Sequence, residues 1–420
     1  MKRAFAKLAL LFTACLLGDT ALWAATADET PSVNDASHEI LVMLRLPPRH
    51  YRPGASYGGT YADAAGEAAR RRIAESVARE QGLTVQSGWP MPVIGIDCYV
   101  LRAPPGANID DVVQQVSKDR RIEWAQPMNR FRALAGTPAA KESLYPLQPS
   151  AKLWQLDELH KVSTGRNVRV AVIDSGVDAS HPDLAGRIAV ERNFVDARAQ
   201  VAESHGTAVA GIIGARGAGA GVVGIAPQAE LLALRACWEE SASSTLCSSF
   251  TLAQALQAAI VADAQVINMS LSGPDDRLLA QLIDAALEHG ATVVGAVDAQ
   301  AADGGFPASH RGVLAVSDRT GAPDSALPAP GVDVPAPAPG GRWNFVSGAS
   351  FATAHVAGLL ALVREVTREP AMRQSATWVR FPLSSPDGAA GYVDACATLR
   401  RSAPSLNCVP VREGTARVSR

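Results

Sequence analysis

Charge is scarce in this chain and nearly balanced. Of 420 residues 19% are Asp, Glu, Lys or Arg, and 39 basic residues face 41 acidic ones for a formal net charge of −2. Such a surface has no long-range field to gather nucleic acid or an anionic membrane, so neither is an expected partner. Beyond the N-terminal segment no run reads as long and apolar enough to cross a bilayer, and no membrane span is expected. No Cys-x-x-Cys pair or histidine cluster is present, which removes zinc ligation. No phosphate-binding glycine motif follows the strand NVRVAVID, which removes nucleotide chemistry. No internal repeat stands out.

What is present begins with a leader. Lys2 and Arg3 precede an apolar stretch from Leu8 to Leu17, and small residues follow from Ala24 to Ala27. This is the layout of a secretory signal peptide over residues 1–27, cut near Ala25 or Ala27, and it implies a secreted or periplasmic protein. A buried helix is the alternative, but Gly18 and Asp19 interrupt the run. Cys15, after Phe12, Thr13 and Ala14, is a poor version of a lipoprotein cleavage site, so lipid anchoring there is a lesser alternative. The remaining cysteines, Cys98, Cys237, Cys247, Cys396 and Cys408, are odd in number. In an oxidising compartment the close neighbours Cys237 with Cys247 and Cys396 with Cys408 are candidate disulfides, leaving Cys98 over. Reduced, buried cysteines are the competing reading.

Residues 28–136 read as a small α+β module of strand, helix, strand, strand, helix, strand, in ferredoxin-like order. Its first strand is EILVMLRL, and Asn108 is placed to cap its second helix. Residues 137–150 read as a linker and 403–420 as a C-terminal tail. Between them, over 151–402, near-continuous Val, Ile, Ala and Leu strands alternate with helices: a doubly wound α/β domain with a parallel sheet covered on both faces. Ligands in such folds bind at the carboxyl ends of the strands.

Three polar residues stand where this architecture puts reactive groups. Asp174 ends the strand VRVAVID, while His205 and Ser350 each open a helix of small residues. A hydroxyl becomes a useful nucleophile only beside an imidazole that takes its proton and a carboxylate that orients the imidazole. Singly, each residue is as well explained as a helix cap.

The surrounding strings change that balance. VAVIDSGVDASHPDLAG, HGTAVAG and SGASFATAHVAG, in the order Asp, His, Ser, resemble the signature segments of the subtilisin-like proteases (subtilases). INMSLSGP, VVGIAP and the APGV of Ala329–Val332 resemble further family segments, and the likeness runs from Leu153 to Leu399. It implies a subtilisin-like fold and a serine endopeptidase working through an acyl-enzyme, with protein or peptide substrates and no cofactor. Asp174 would orient the base, His205 would be base and then acid, and Ser350 would attack. Ser270, Leu271 and Ser272 match the edge strand that pairs with an extended substrate, with Ala296 and Val297 beside it in the cleft. Residues 28–136 resemble the family's propeptide, a partner in cis whose last strand, near Asn129 to Gly136, would plug the cleft.

Departures from the family concern the oxyanion. VVGAVDAQ places Asp298 and Ala299 where Gly and an amide-donating Asn are usual, and Ala349 replaces a Thr. The backbone of Ser350 remains, with Asp298, Ala299 and Gln300 as the positions from which a second donor would come; losing one such donor costs about 3 to 4 kcal/mol. Ser272 stands for a Gly and is expected to narrow the cleft. Ala208 and Ala354 replace a His and a Pro within small-residue helices, and His355 reads as a packed histidine. Asp183 and RGAGAGV at 216–222 correspond to a calcium-binding region, but the loop offers no side-chain oxygen, so no strong metal site is expected and Asp183 reads as a turn cap. The alternative function is a catalytically weakened subtilase fold that binds peptides or scaffolds.

Overall fold

The run EILVMLR forms strand β1 (Glu39–Arg45), apolar at every position between its ends because both faces are covered. Ile40, Val42 and Leu44 face one core and Leu41 and Met43 another, as a period of two demands. The computed structural model that shows this describes residues 38–45, 64–133, 144–198, 201–217, 221–241, 244–318, 326–367, 378–381 and 391–408. The leader and Cys15 lie outside them, as do residues 134–143 and the C-terminal tail beyond 408.

Helix α1 (Ala64–Glu80), β2 (Thr84–Met91), β3 (Ile96–Arg102), helix α2 (Ile109–Val116) and β4 (Trp124–Pro127) complete the first module. Asn108 caps α2, its side chain accepting from the Asp110 and Asp111 amides. The antiparallel sheet runs β2-β3-β1-β4, with α1 and α2 on its outer face. Strand β5 (Arg130–Ala133) leaves this sheet for another.

The larger part opens with α3 (Pro149–Leu153) and α4 (Leu156–His160). Its centre is a seven-stranded sheet of β6 (Arg169–Asp174), β7 (Ile188–Asn193), β8 (Glu230–Arg235) and, beyond the hairpin β9 (Cys237–Ser241) and β10 (Ser244–Ser248), β11 (Val266–Met269). After the short β12 (Leu271–Ser272), the sheet continues with β13 (Thr292–Ala296), β14 (Leu314–Ser317) and β15 (Leu327–Pro328). The order β7-β8-β6-β11-β13-β14-β15 is parallel at every pairing, with β6, the first of these strands in the sequence, inside. The chain thus winds outward in both directions from β6, the arrangement that opens a crevice at the carboxyl ends. A separate ribbon pairs β16 (Val334–Ala338) with β17 (Arg342–Val346).

Helices α5 (Ser204–Gly214) and α8 (Ala349–Val366) share the core on one side of the sheet; α6 (Ser249–Val261) and α7 (Arg277–Glu288) share that on the other. Helix α8 is long and apolar enough by composition to span a bilayer, contrary to the sequence reading, but nearly all of it is buried within this core. A last short helix, α9 (Ala395–Arg400), packs beside it.

Two other expectations change. Leu144 is buried against Ala215 and Val222, and the Gln148 amide brackets Val223, donating to its carbonyl at 2.7 Å and accepting its N–H at 2.8 Å. Residues 144–150 therefore belong to the larger part instead of to a linker; single turns held by side-chain hydrogen bonds carry no periodicity to read. The Asp183 carboxylate does not cap its own turn, which the His181 ring closes by accepting the Asp183 amide. It reaches out to the Val222 amide at 3.0 Å and the Trp343 indole at 2.7 Å, tying the segment at 222 to strand β17.

The inner face of the first sheet merges with the larger part. Leu41, Met43, Cys98 and Trp124 pack in one cluster with Leu252, Leu256, Leu279 and Leu282 of α6 and α7. Cys98 is unpaired there, its thiol pushed up by burial. At the edge of this contact Asp276, 2% exposed, caps α7 through the Leu279 amide at 3.0 Å. The same carboxylate accepts from Gln126 at 2.8 Å, Asn129 at 3.0 Å and the Ser249 hydroxyl at 2.5 Å. Buried charge persists only when so satisfied. Asp276→Ala removes a cap and leaves those donors unpaired, and is expected to cost about 2 kcal/mol; chemical denaturation of the full chain reads the loss.

Candidate active site

Asp174 is the last residue of β6 and 2% exposed. Its Oδ1 accepts the Ser175 amide at 2.7 Å and the His205 Nδ1–H at 2.7 Å. His205 stands in the first turn of α5, 4% exposed, and α5 approaches β6 so closely that a Cβ on Gly206 would lie 2.3 Å from the Ser175 carbonyl. With Nδ1 donating to the carboxylate, the neutral ring presents Nε2 as a buried acceptor that has no hydrogen-bond partner. Ser350, in the first turn of α8, is fully buried. Its hydroxyl donates to the Ser270 carbonyl at 2.9 Å, while the Ser270 hydroxyl donates to the Ser350 carbonyl at 2.8 Å. The next ring along α8, Phe351, lies 5.4 Å from the His205 ring. Three distant segments thus bring the carboxylate, the imidazole and the hydroxyl-bearing turn to one end of the sheet.

The strand slot lies beside them. β5 is the second of four antiparallel strands ordered β12-β5-β10-β9, with Ser272 opposite Arg132 and Leu271 opposite Ala133 on one side, and Cys247 opposite Phe131 on the other. Phe131 is fully buried, its ring 6.1 Å from that of Phe306. A Cβ on Gly273 would fall 2.3 Å from the Phe131 ring, so glycine makes this seat. Ser272 is buried against Gly305, whose added Cβ would sit 2.2 Å from the Ser272 hydroxyl. Ala296 ends β13, whereas the Val297 side chain packs with Ala308, Ala315 and Ala326 in a small core.

In the loop after β13, the Asp298 carboxylate accepts the Gln300 amide at 2.8 Å, and the Ala299 and Gln300 side chains are exposed. The acid is occupied in shaping its own turn. Cys237 is joined to Cys247 across the β9–β10 hairpin, and Cys396 to Cys408.

A second polar group behind His205 has no counterpart in the sequence reading. Glu203 accepts from both ends of the Arg235 guanidinium, at 2.8 and 2.9 Å, and from the Gly176 amide at 2.6 Å. Burial works to raise its carboxyl, but Arg235 and the Gly176 amide outweigh it and hold it below the ordinary range. Glu239 accepts the His205 amide at 2.9 Å, and burial pushes its carboxyl up. Glu203, Arg235 and Glu239 lie outside the signature strings.

His355 is buried within α8, its Nδ1 at 2.8 Å from the Phe351 carbonyl and its ring edge-on to Trp154. Burial lowers its pKa to about 4. The unfolded chain then binds a proton near pH 6.5 that the folded one refuses, so this group's contribution to stability is intact above pH 6.5 and falls as pH drops toward 4. The loss is about 3 kcal/mol. His355→Leu is expected to flatten that part of the pH dependence, measured as unfolding free energy between pH 7 and 4.

Comparison with known proteins agrees with this architecture. The Subtilase family matches residues 165–380. Subtilisin E of Bacillus subtilis (strain 168) is 37% identical over 220 residues, 48% of this chain and 56% of that protein, so the match spans little more than half of the relative. Subtilisin of Bacillus pumilus is 36% identical over 220 residues, covering 48% of this chain and 78% of that protein. Among solved structures, fervidolysin from Fervidobacterium pennivorans, a keratinolytic enzyme related to subtilisin, superposes with a TM-score of 0.63 at 22% identity, covering 86% of this chain and 61% of that one. That likeness bears on the fold alone. With the matched family region spanning half of its length, this chain belongs to the subtilase family.

Proposed function

We propose that this chain is a secreted serine endopeptidase made as a precursor, with Asp174, His205 and Ser350 as its catalytic triad. The observation that carries the reading is the buried 2.7 Å bond from His205 to Asp174, which leaves Nε2 as the open acceptor. In the reaction the Ser350 hydroxyl leaves the Ser270 carbonyl and gives its proton to Nε2 as Oγ bonds to the scissile carbonyl carbon. Collapse of the adduct breaks the C–N bond, and the proton passes from Nε2 to the leaving amine. Water then repeats the sequence on the acyl-enzyme and restores Ser350. Resting hydrogen bonds of this kind tighten on substrate binding.

Substrate would enter as β5 now lies, an extended strand between β12 and β10, held by main-chain hydrogen bonds with specificity from the seats between them. Phe131 fills a fully buried seat and supports a substrate class with an aromatic residue at the matching position. The same pairing supports residues 38–133 as a propeptide that blocks the cleft in cis. Gly273→Val would fill the seat and is expected to erase a preference for Phe over Ala there, read as the ratio of kcat/KM for two peptides differing at that residue.

One observation favours a second reading, peptide binding with little turnover: the Asp298 carboxylate accepts within its own loop and Ala299 has no side-chain donor. Removal of one donor slows acyl transfer by about a hundred- to a thousandfold without abolishing it, so the enzyme reading leads. A fluorophosphonate separates the two. Labelling of wild type but not Ser350→Ala, located on Ser350 by mass spectrometry, is expected; no labelling of wild type at any exposure would leave the binding reading.

A further inference from the structure

Helix α5 carries His205 in its first turn, and the backbone N–H groups there have no partner within the helix. Glu203, the residue before the helix, makes no capping bond with its side chain, which is turned back to Arg235 and Gly176. Two other segments do the capping. The Ser175 hydroxyl accepts the Gly206 amide at 3.0 Å, and Glu239 accepts the His205 amide at 2.9 Å. The Ser204 amide also bonds to Glu239.

Glu239 belongs to β9, the outer strand of the β9–β10 hairpin, and β10 is the strand that pairs with Arg130–Ala133 in the slot. The disulfide joins the two strands at the pair Cys237 and Cys247, two residues from Glu239. The Glu239 amide in turn donates to Glu203 at 3.2 Å. An unbroken path therefore runs from the bound peptide strand through β10, the disulfide and β9 to the backbone of the imidazole.

We propose that Glu239 is a positioning residue: by accepting the first amides of α5 it fixes the axial placement of His205 and ties it to the hairpin that grips the substrate backbone. This rests on His205 being the general base. Without Glu239 the helix start loses its acceptor, and the imidazole loses registry with Ser350 while the slot itself stays intact. A displacement of about an ångström at a catalytic group costs up to a hundredfold in rate. The effect falls on kcat, because main-chain pairing with β10 and β12 does not involve the carboxylate.

The test uses the protein recovered after expression of the full chain, a tetrapeptide anilide as substrate and the fluorophosphonate as an active-site titrant, so that kcat refers only to molecules whose cleft is open. Glu239→Ala is expected to lower kcat about tenfold with KM within about twofold. Glu239→Gln, which keeps an accepting oxygen at the same reach, recovers most of the loss. Glu240→Ala, at the exposed neighbour, matches wild type. Unchanged kcat in Glu239→Ala, or a Glu239→Gln no better than it, overturns the proposal. If Glu239→Ala fails to fold, Glu239→Asp decides: its acceptor is one carbon short, so kcat below that of Glu239→Gln supports the proposal, and kcat equal or higher overturns it. Failure of the triad reading is separately visible, since wild type itself would then take up no label; that result removes this proposal with it.

Discussion

A carboxylate and an imidazole held 2.7 Å apart, each less than 5% exposed, are the constraint around which this molecule is organised. Charge out of water is tolerated only where hydrogen bonds and partners replace the solvent. The parallel sheet meets the demand by ending its inner strand β6 at Asp174, with the Ser175 amide on the carboxylate. Small residues on α5 let the imidazole's helix come close enough, and Glu203, Arg235 and Glu239 hold the polar groups behind it. The network is more than packing, since each member satisfies a backbone or charged group that burial would otherwise strand.

The same logic explains why two modules form one body of contacts. A sheet with both faces apolar cannot stand in water, and the inner face of β1 finds its cover on α6 and α7. Asp276 and Ser249 then give the polar edge of that contact its partners. β5 follows directly, so the geometry that docks the first module also threads its last strand into the slot beside Ser350. Under the proposed function, docking the first module and blocking the cleft would be one interaction.

How far the sequence carried depended on whether a feature was local. Strands and helices were legible because β1 and β6 are apolar at fixed periods, and the three polar site residues because each sits in a short string of small neighbours. The slot was legible as an edge strand at Ser270–Ser272. What could not be read was long-range pairing of side chains. Glu239 lies 34 residues from His205 and Arg235 lies 32 from Glu203, in no motif at all. The Ser350 hydroxyl resting on Ser270, the Phe131 seat over Gly273 and the packing of Val297 with Ala308, Ala315 and Ala326 depend on contacts that no string encodes. Nor does any string show that the Asp298 carboxylate accepts the Gln300 amide within its own turn.

The central claim is that Ser350 and His205 act on one carbonyl. A crystal structure with a peptide boronate tests it most directly. The account predicts a bond from Ser350 Oγ to boron, the hydroxyl released from the Ser270 carbonyl, and His205 Nε2 within hydrogen-bond reach of the adduct. A boronate left unbonded, with Ser350 still on Ser270, or one bonded to another residue, would contradict it.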